Sequence, residues 1–195
     1  GFKFKVDVFL PTDRNWIFDK VLRRADYITS CSRSVLEDVL EYVPEIKKKS
    51  VVIHNGVDLE EFRITKTYIN SRPYIFSLGR FCDDQKGFDI LIMAFKDIVD
   101  RGYDVDLILA GDGPDRRNQE NLANLLKLND RVIFFGNANR VNVVLLLNGC
   151  EFFVSSSRIE PFAIVNLEAM AAGKAIVATK VDGTPEAVKD GVNGI

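Results

Sequence analysis

The chain has 195 residues, enough for one large core or for parts of two domains, and a formal net charge of −2. That near-neutral balance lacks the strong basic field a nucleic-acid partner calls for. No apolar run approaches the ~20 residues of a membrane span and no signal peptide is visible, so a cytoplasmic protein is expected. The three cysteines, Cys31, Cys82 and Cys150, are odd in number and widely spaced. They match neither a zinc pattern nor a disulfide framework and read as reduced thiols in or near the core.

In chain order, Phe2, Phe4, Val6, Val8 and Leu10 alternate with polar residues and predict a strand. Residues 15–24 read as a helix and 26–30 as a short strand. Ser34 followed by Glu37 fits a capping box, and Val35, Leu36, Val39, Leu40 and Val43 form one helical face ahead of Pro44. Residues 51–54 predict another strand. From 55 to 72 periodicity fails after the turn signal Asn55-Gly56, and Leu59, Phe62, Ile64 and Ile69 are scattered. This stretch is expected to be a hinge or linker, dividing residues 1–54 from 73–195.

Beyond it strands and helices alternate. Strands are expected over 74–78, 105–110, 132–135, 152–155 and 175–178, and helices over 87–100, 115–128 and 141–148. Another helix begins near Pro161, and one more starts within 184–189. The first of these helices turns Phe88, Leu91, Phe95, Ile98 and Val99 inward. Continuous apolar strands such as Leu107-Ile108-Leu109-Ala110 indicate burial on both faces. The fold class is α/β, a Rossmann-like doubly wound parallel sheet. The chain ends at Ile195 as though a further strand were beginning.

Ligands of open α/β sheets bind beyond the carboxyl ends of the strands. There Gly79 permits close backbone approach, and Arg80 and Lys86 bring two cations suited to phosphate oxygens. Gly111-Asp112-Gly113 lacks the third glycine that opens the helix in a dinucleotide fingerprint, which excludes a nicotinamide site there. A plain tight turn and direct ligand contact both remain open for it. The loop 136–140 could meet a base, or be an ordinary turn. In the last loop, Pro161 is placed at the first helical position and Gly173 at the left-handed residue that ends the helix. Glu160 then stands just before a helix and Glu168 about two turns into it. The free N–H groups between them form an anion site. A cradle for phosphate flanked by two hydroxyl-accepting acids points to a nucleotide sugar.

Several motifs then align in order: Ile53-His54-Asn55-Gly56-Val57-Asp58, Leu78-Gly79-Arg80, Lys86-Gly87 and Ala110-Gly111-Asp112-Gly113-Pro114. Glu160…Glu168, Val177-Ala178-Thr179 and Gly183-Thr184-Pro185-Glu186 follow. Over residues 25–195 or so the chain resembles glycosyltransferase family 4, its glutamates matching the E-x7-E motif. The resemblance implies a GT-B architecture and retaining transfer from a nucleotide diphosphate sugar (UDP, GDP or ADP) to a sugar, polysaccharide or lipid-linked acceptor. Residues 73–195 resemble the donor domain, truncated at its C-terminus, and 1–54 only the tail of the acceptor domain. Alone, the chain is expected to bind donor but not to catalyse. Peripheral membrane contact would come through the missing N-terminal part.

By the same resemblance, Arg80 and Lys86 hold the diphosphate and Glu160 bonds the donor sugar. Phe162, Ala163, Ile164 and Val165 present backbone N–H groups, and Glu168 takes the ribose diol. Gly79 and Gly111 line the donor site, and Ala138 and Arg140 lie where the family meets the base. Ala163 replaces a usual glycine, and Asp182 is a second departure, positioned to alter donor-sugar contacts. No cofactor is expected. No metal is expected either: the sequence is read as holding no Asp-x-Asp metal motif and no histidine cluster, and the cations and helix amides can stabilise the leaving diphosphate. A glycosidase acid and nucleophile pair is disfavoured, since the helix N-terminus and cations favour phosphate. A non-catalytic nucleotide-sugar-binding module and a GT-B sugar-nucleotide epimerase remain as alternatives. His54 reads as structural and not as a base. Trp16, with Arg14, Lys20, Arg23 and Arg24, reads as part of a partly solvated helix, and Lys47-Lys48-Lys49 as a solvated loop.

Overall fold

The computed structural model describes residues 15–63 and 66–195, with side chains from Phe18 onward. The strand expected over 2–10, Arg14, Ile64 and the Trp16 side chain lie outside the described residues.

The first unit comprises α1 (Asn15–Arg24), β1 (Ile28–Ser30), α2 (Arg33–Tyr42), a 3-10 helix (Pro44–Lys49) and β2 (Ser50–Val52). β1 and β2 pair in parallel. The cap of α2 is Ser32, two residues before the expected Ser34: its Oγ accepts from the Val35 N–H at 3.2 Å. Lys49 is no solvated charge. Its ammonium donates to the carbonyls of Arg23 at 2.7 Å and Ala25 at 2.5 Å. A cation there satisfies the unpaired carbonyls at the end of α1 and opposes its dipole.

The stretch expected to be a hinge or linker holds regular structure among its described residues. A 3-10 helix (Leu59–Phe62) is capped by Asp58, which accepts from the Glu60 N–H at 2.9 Å. Phe62 is buried in the core of the second unit. Tyr68 donates its N–H to the Leu145 carbonyl and sets its ring edge-on to Tyr74 and Phe135. Isolated aromatics without a helical or strand period thus serve as anchors, a role no periodicity reports.

The second unit contains β3 (Tyr74–Leu78), α3 (Asp83–Lys86), α4 (Phe88–Asp100), β4 (Asp106–Ala110) and α5 (Arg116–Leu125). β5 (Val132–Gly136), α6 (Arg140–Gly149), β6 (Phe153–Ser155), α7 (Ile164–Ala171), β7 (Ile176–Ala178) and α8 (Thr184–Ala187) complete it. The sheet is wholly parallel in the order β5-β4-β3-β6-β7. Period-two alternation sends side chains to two cores. Tyr74, Phe76, Ile108, Ala110 and Phe153 meet α6 and α7 on one face. Ile75, Leu107, Leu109 and Val154 meet Phe88, Leu91, Ile92 and Phe95 of α4 on the other. Gly173 ends α7 at φ +70° with the paired bonds of a Schellman motif, as the sequence predicts. Gly194 forms an isolated bridge with Ile176 of β7, and the Ile195 N–H donates to the Ile176 carbonyl at 2.9 Å.

Glu186 on α8 joins the two units. Its carboxylate accepts from the Arg33 and Ser34 N–H groups at 2.9 and 3.0 Å and bonds His54 Nε2 at 2.8 Å. The amides are the open first turn of α2, so an acid of the second unit caps a helix of the first. The His54 ring lies flat on Phe162, centroids 4.8 Å apart. This agrees with its structural reading. Burial works against the charge on Glu186, but the two N–H bonds and His54 outweigh it and hold the carboxyl below its usual range.

Two predictions follow from these contacts. At Gly111, with φ +121°, an added Cβ would fall 1.9 Å from the Gly79 carbonyl oxygen. Gly111→Ala should therefore destabilise the protein by about 3 kcal/mol in urea unfolding. A folded pKa below the unfolded one stabilises fully above the usual glutamate value of about 4.3 and ceases to do so as pH falls through the lower, folded value. Stability measured from pH 6 to pH 3 should fall more steeply in the native protein than in Glu186→Gln.

Candidate functional site

The strand order reverses between β3 and β6: the chain winds outward through β4 and β5, then returns to the other side of β3. Such a switch point opens a crevice at the carboxyl ends of the two strands, where a ligand can enter. The segment after β3 carries Arg80 in its loop and Lys86 at the end of α3. The loop after β6 carries Glu160.

These two loops are laced together by their backbones. The Arg158 and Ile159 N–H groups donate to the Gln85 carbonyl at 2.7 and 3.2 Å, and Ser156 Oγ donates to the Lys86 carbonyl at 3.0 Å. Gly87 sits at φ +59°, where a Cβ would stand 2.4 Å from the Ser156 carbonyl oxygen. Arg158 forks onto both Asp89 oxygens at 2.7 Å and holds that carboxyl below its usual range. The outcome is a fixed ion pair: Lys86 Nζ donates to Glu160 Oε2 at 2.5 Å. The two residues expected to take different parts of the ligand are thus direct partners.

The helix after Glu160 begins later than expected. Pro161 is not its first residue; α7 starts at Ile164, with Ala163 as N-cap. The reason lies in the bonds of the preceding residues. The Glu160 N–H donates to Asp182 Oδ2 at 2.7 Å, and its carbonyl accepts from the Gly183 N–H at 3.2 Å. These cross-links hold the loop outside the helix, leaving Glu168 at the fifth helical position, little more than one turn in. No side chain caps α7, so the Ile164 and Val165 amides remain at an uncapped, electropositive end.

Glu168 is bound by Arg140 through Oε1, and Arg140 also reaches Glu61 at 2.5 Å. A similar arrangement holds for both glutamates. Glu160 and Glu168 are only 5% and 7% exposed, and a carboxylate so buried needs a partner. In each, one oxygen is held by a cation. The other, Glu160 Oε1 or Glu168 Oε2, has no partner among the described residues. The guanidinium of Arg80 is exposed and pairs with no described residue.

The remaining expected residues fall as follows. Gly79 and Gly111 bring the first two loops into backbone contact, the Gly79 N–H donating to the Ala110 carbonyl at 3.1 Å. Ala138 packs against the core. Phe162 is buried and stacked on His54. Asp104-Val105-Asp106 has the Asp-x-Asp spacing of some metal sites, which corrects the expectation that the chain holds no such motif. It stands at the opposite, amino-terminal edge of β4, where Asp106 is bound by Arg72 at 3.2 Å, Arg131 at 3.3 Å and Asn70 at 2.8 Å. Sequence reasoning also missed Arg158, Glu61 and Glu186 as partners. Asp182 drew notice only as a departure, and it supports the Glu160 peptide from 22 residues away.

Comparison with known proteins places this geometry. Residues 60–195 match Glycosyl transferases group 1, and residues 6–61 match Glycosyltransferase Family 4. An uncharacterized glycosyltransferase of Methanocaldococcus jannaschii is 33% identical over 179 residues, covering 86% of this chain and 46% of that protein. The N-acetyl-alpha-D-glucosaminyl L-malate synthase of Bacillus anthracis is 29% identical over 181 residues, covering 89% and 46%. The crystal structure of Anabaena HepE in complex with UDP and glucose superposes with a TM-score of 0.80 at 25% identity, covering 97% of this chain and 54% of that one. The chain spans about half the length of the curated relatives it matches. By family match and by fold, this chain belongs to the group 1 glycosyl transferases, with a Rossmann-like sheet of the GT-B type.

Proposed function

We propose that the protein is a retaining glycosyltransferase that takes a sugar from a nucleotide diphosphate donor and passes it to a sugar, polysaccharide or lipid-linked acceptor. Residues 73–195 act as the donor domain, residues 55–72 as the hinge, and residues 1–54 as part of the acceptor side. The observation that carries this reading is the pair of buried glutamates at the switch point, each with one oxygen held and one open. Free carboxylate oxygens suit sugar hydroxyls, which are donors. The crystallised HepE complex with UDP and glucose supports a donor of this class.

In the proposed reaction the glycosidic bond breaks and negative charge develops on the departing diphosphate. Arg80, Lys86 and the uncapped amides at the start of α7 stabilise that charge. Lys86 bridges the diphosphate and Glu160, which binds the transferred sugar, while Glu168 binds the ribose. Fixed cations and dipoles perform this stabilisation without a metal ion.

Calorimetry with UDP, GDP and ADP should show binding of at least one of them to this chain; silence with all three would count against the donor-domain assignment. In the whole enzyme, Glu160→Ala should lower kcat by about a hundredfold or more, and Glu168→Ala should chiefly raise the donor KM. Equal transfer rates with and without EDTA are expected, and loss of transfer on chelation would show that a metal is required.

A further inference from the structure

We infer that Arg140 is a positioning residue that makes the site selective for ribonucleotides, by orienting Glu168 toward the ribose 2′,3′-diol. This rests on the assignment of Glu168 to the ribose.

Arg140 is the first residue of α6, whose cap is Asn139. Its guanidinium lies 5.0 Å above the centre of the Phe62 ring, and Phe62 is itself buried in the core. Nε and Nη2 both reach Glu61 Oε2 at 2.5 Å, leaving Nη1 directed at Glu168 Oε1. The arginine is therefore held on three sides, by a ring, a hinge carboxylate and the carboxylate it serves. A planar fork so anchored fixes both the charge and the orientation of its partner.

The consequence for Glu168 is chemical. A carboxylate this buried needs a cation to compensate its lost hydration, and Arg140 supplies it. Two ribose hydroxyls need an ionised acceptor with a free oxygen in a set direction. With Oε1 engaged by Arg140, Oε2 is the oxygen left for the diol. Glu61 keeps the guanidinium from being drawn toward the donor phosphates, so the hinge contributes to the recognition.

The test is calorimetry on the chain with UDP, GDP and ADP and the 2′-deoxy counterpart of each. One hydrogen bond to a charged group corresponds to at least about a tenfold preference for the ribonucleotide. Arg140→Gln should bring the two affinities within about twofold by weakening the ribonucleotide alone, and Arg140→Lys should restore part of the preference. The lysine variant also serves as the readout if the glutamine variant fails to fold. Glu168→Gln should lose the preference as well. If Glu168→Gln loses it and the Arg140 variants keep it, the positioning role is overturned while the Glu168 assignment stands. If Arg140→Gln weakens both nucleotides equally, Arg140 is merely structural and the inference fails. If Glu168→Gln keeps the preference, or the native chain shows none or binds no nucleotide, the ribose assignment itself falls and this inference with it.

Discussion

The contact between Lys86 and Glu160 joins the two loops that flank the strand reversal, and the rest of the candidate site is arranged around it. Neither charge is easily left alone. Glu160 is nearly buried, and Lys86 stands at the end of α3, in a segment that closes against the Glu160 loop through backbone bonds. An unpaired carboxylate in that position would carry on the order of several kcal/mol of uncompensated desolvation. The ion pair offsets that cost, leaves one Glu160 oxygen open and fixes Lys86 beside it. Arg158 on Asp89 and Asp182 on the Glu160 amide secure the geometry from either side.

A second arrangement ties this site to the remainder of the chain. Glu186 caps α2 and bonds His54, which lies against Phe162, two residues beyond Glu160. Arg140 bonds both Glu168 and Glu61, which lies between the two units. Glu160 and Glu168 thus each lie within a few contacts of the segment between the two units. Charged groups make these links, and they have direction and alternatives, whereas apolar packing would be less specific.

Much of the fold was legible because burial leaves a period in the residues. The apolar strands around Phe76 and Ile108 and the helix through Phe88, Leu91 and Phe95 lie close to where their patterns put them. The chain terminators were legible too, with Gly173 adopting the left-handed conformation its position demanded. Less legible were the starts of helices. Ser34 and Pro161 are both good local signals, yet α2 is capped by Ser32 and α7 begins at Ile164. In each case a distant acid, Glu186 or Asp182, takes a backbone amide that the local motif would have used or left open. The segment between the two units was opaque for another reason: Phe62 and Tyr68 are anchors set singly, and a single aromatic has no period.

By itself, the sequence determined the class of sheet, the order of its elements and the residue types gathered at its carboxyl edge. Those depend on local propensity, on apolar periodicity and on short motifs, all of which are properties of neighbouring positions. Tertiary structure decided which cation meets which acid. Lys86 with Glu160 spans 74 positions and Arg140 with Glu168 spans 28, and no local rule connects residues so far apart. Electrostatic pairing is settled only when the strand reversal brings loops together and removes water, since it is burial that obliges a charge to find a partner.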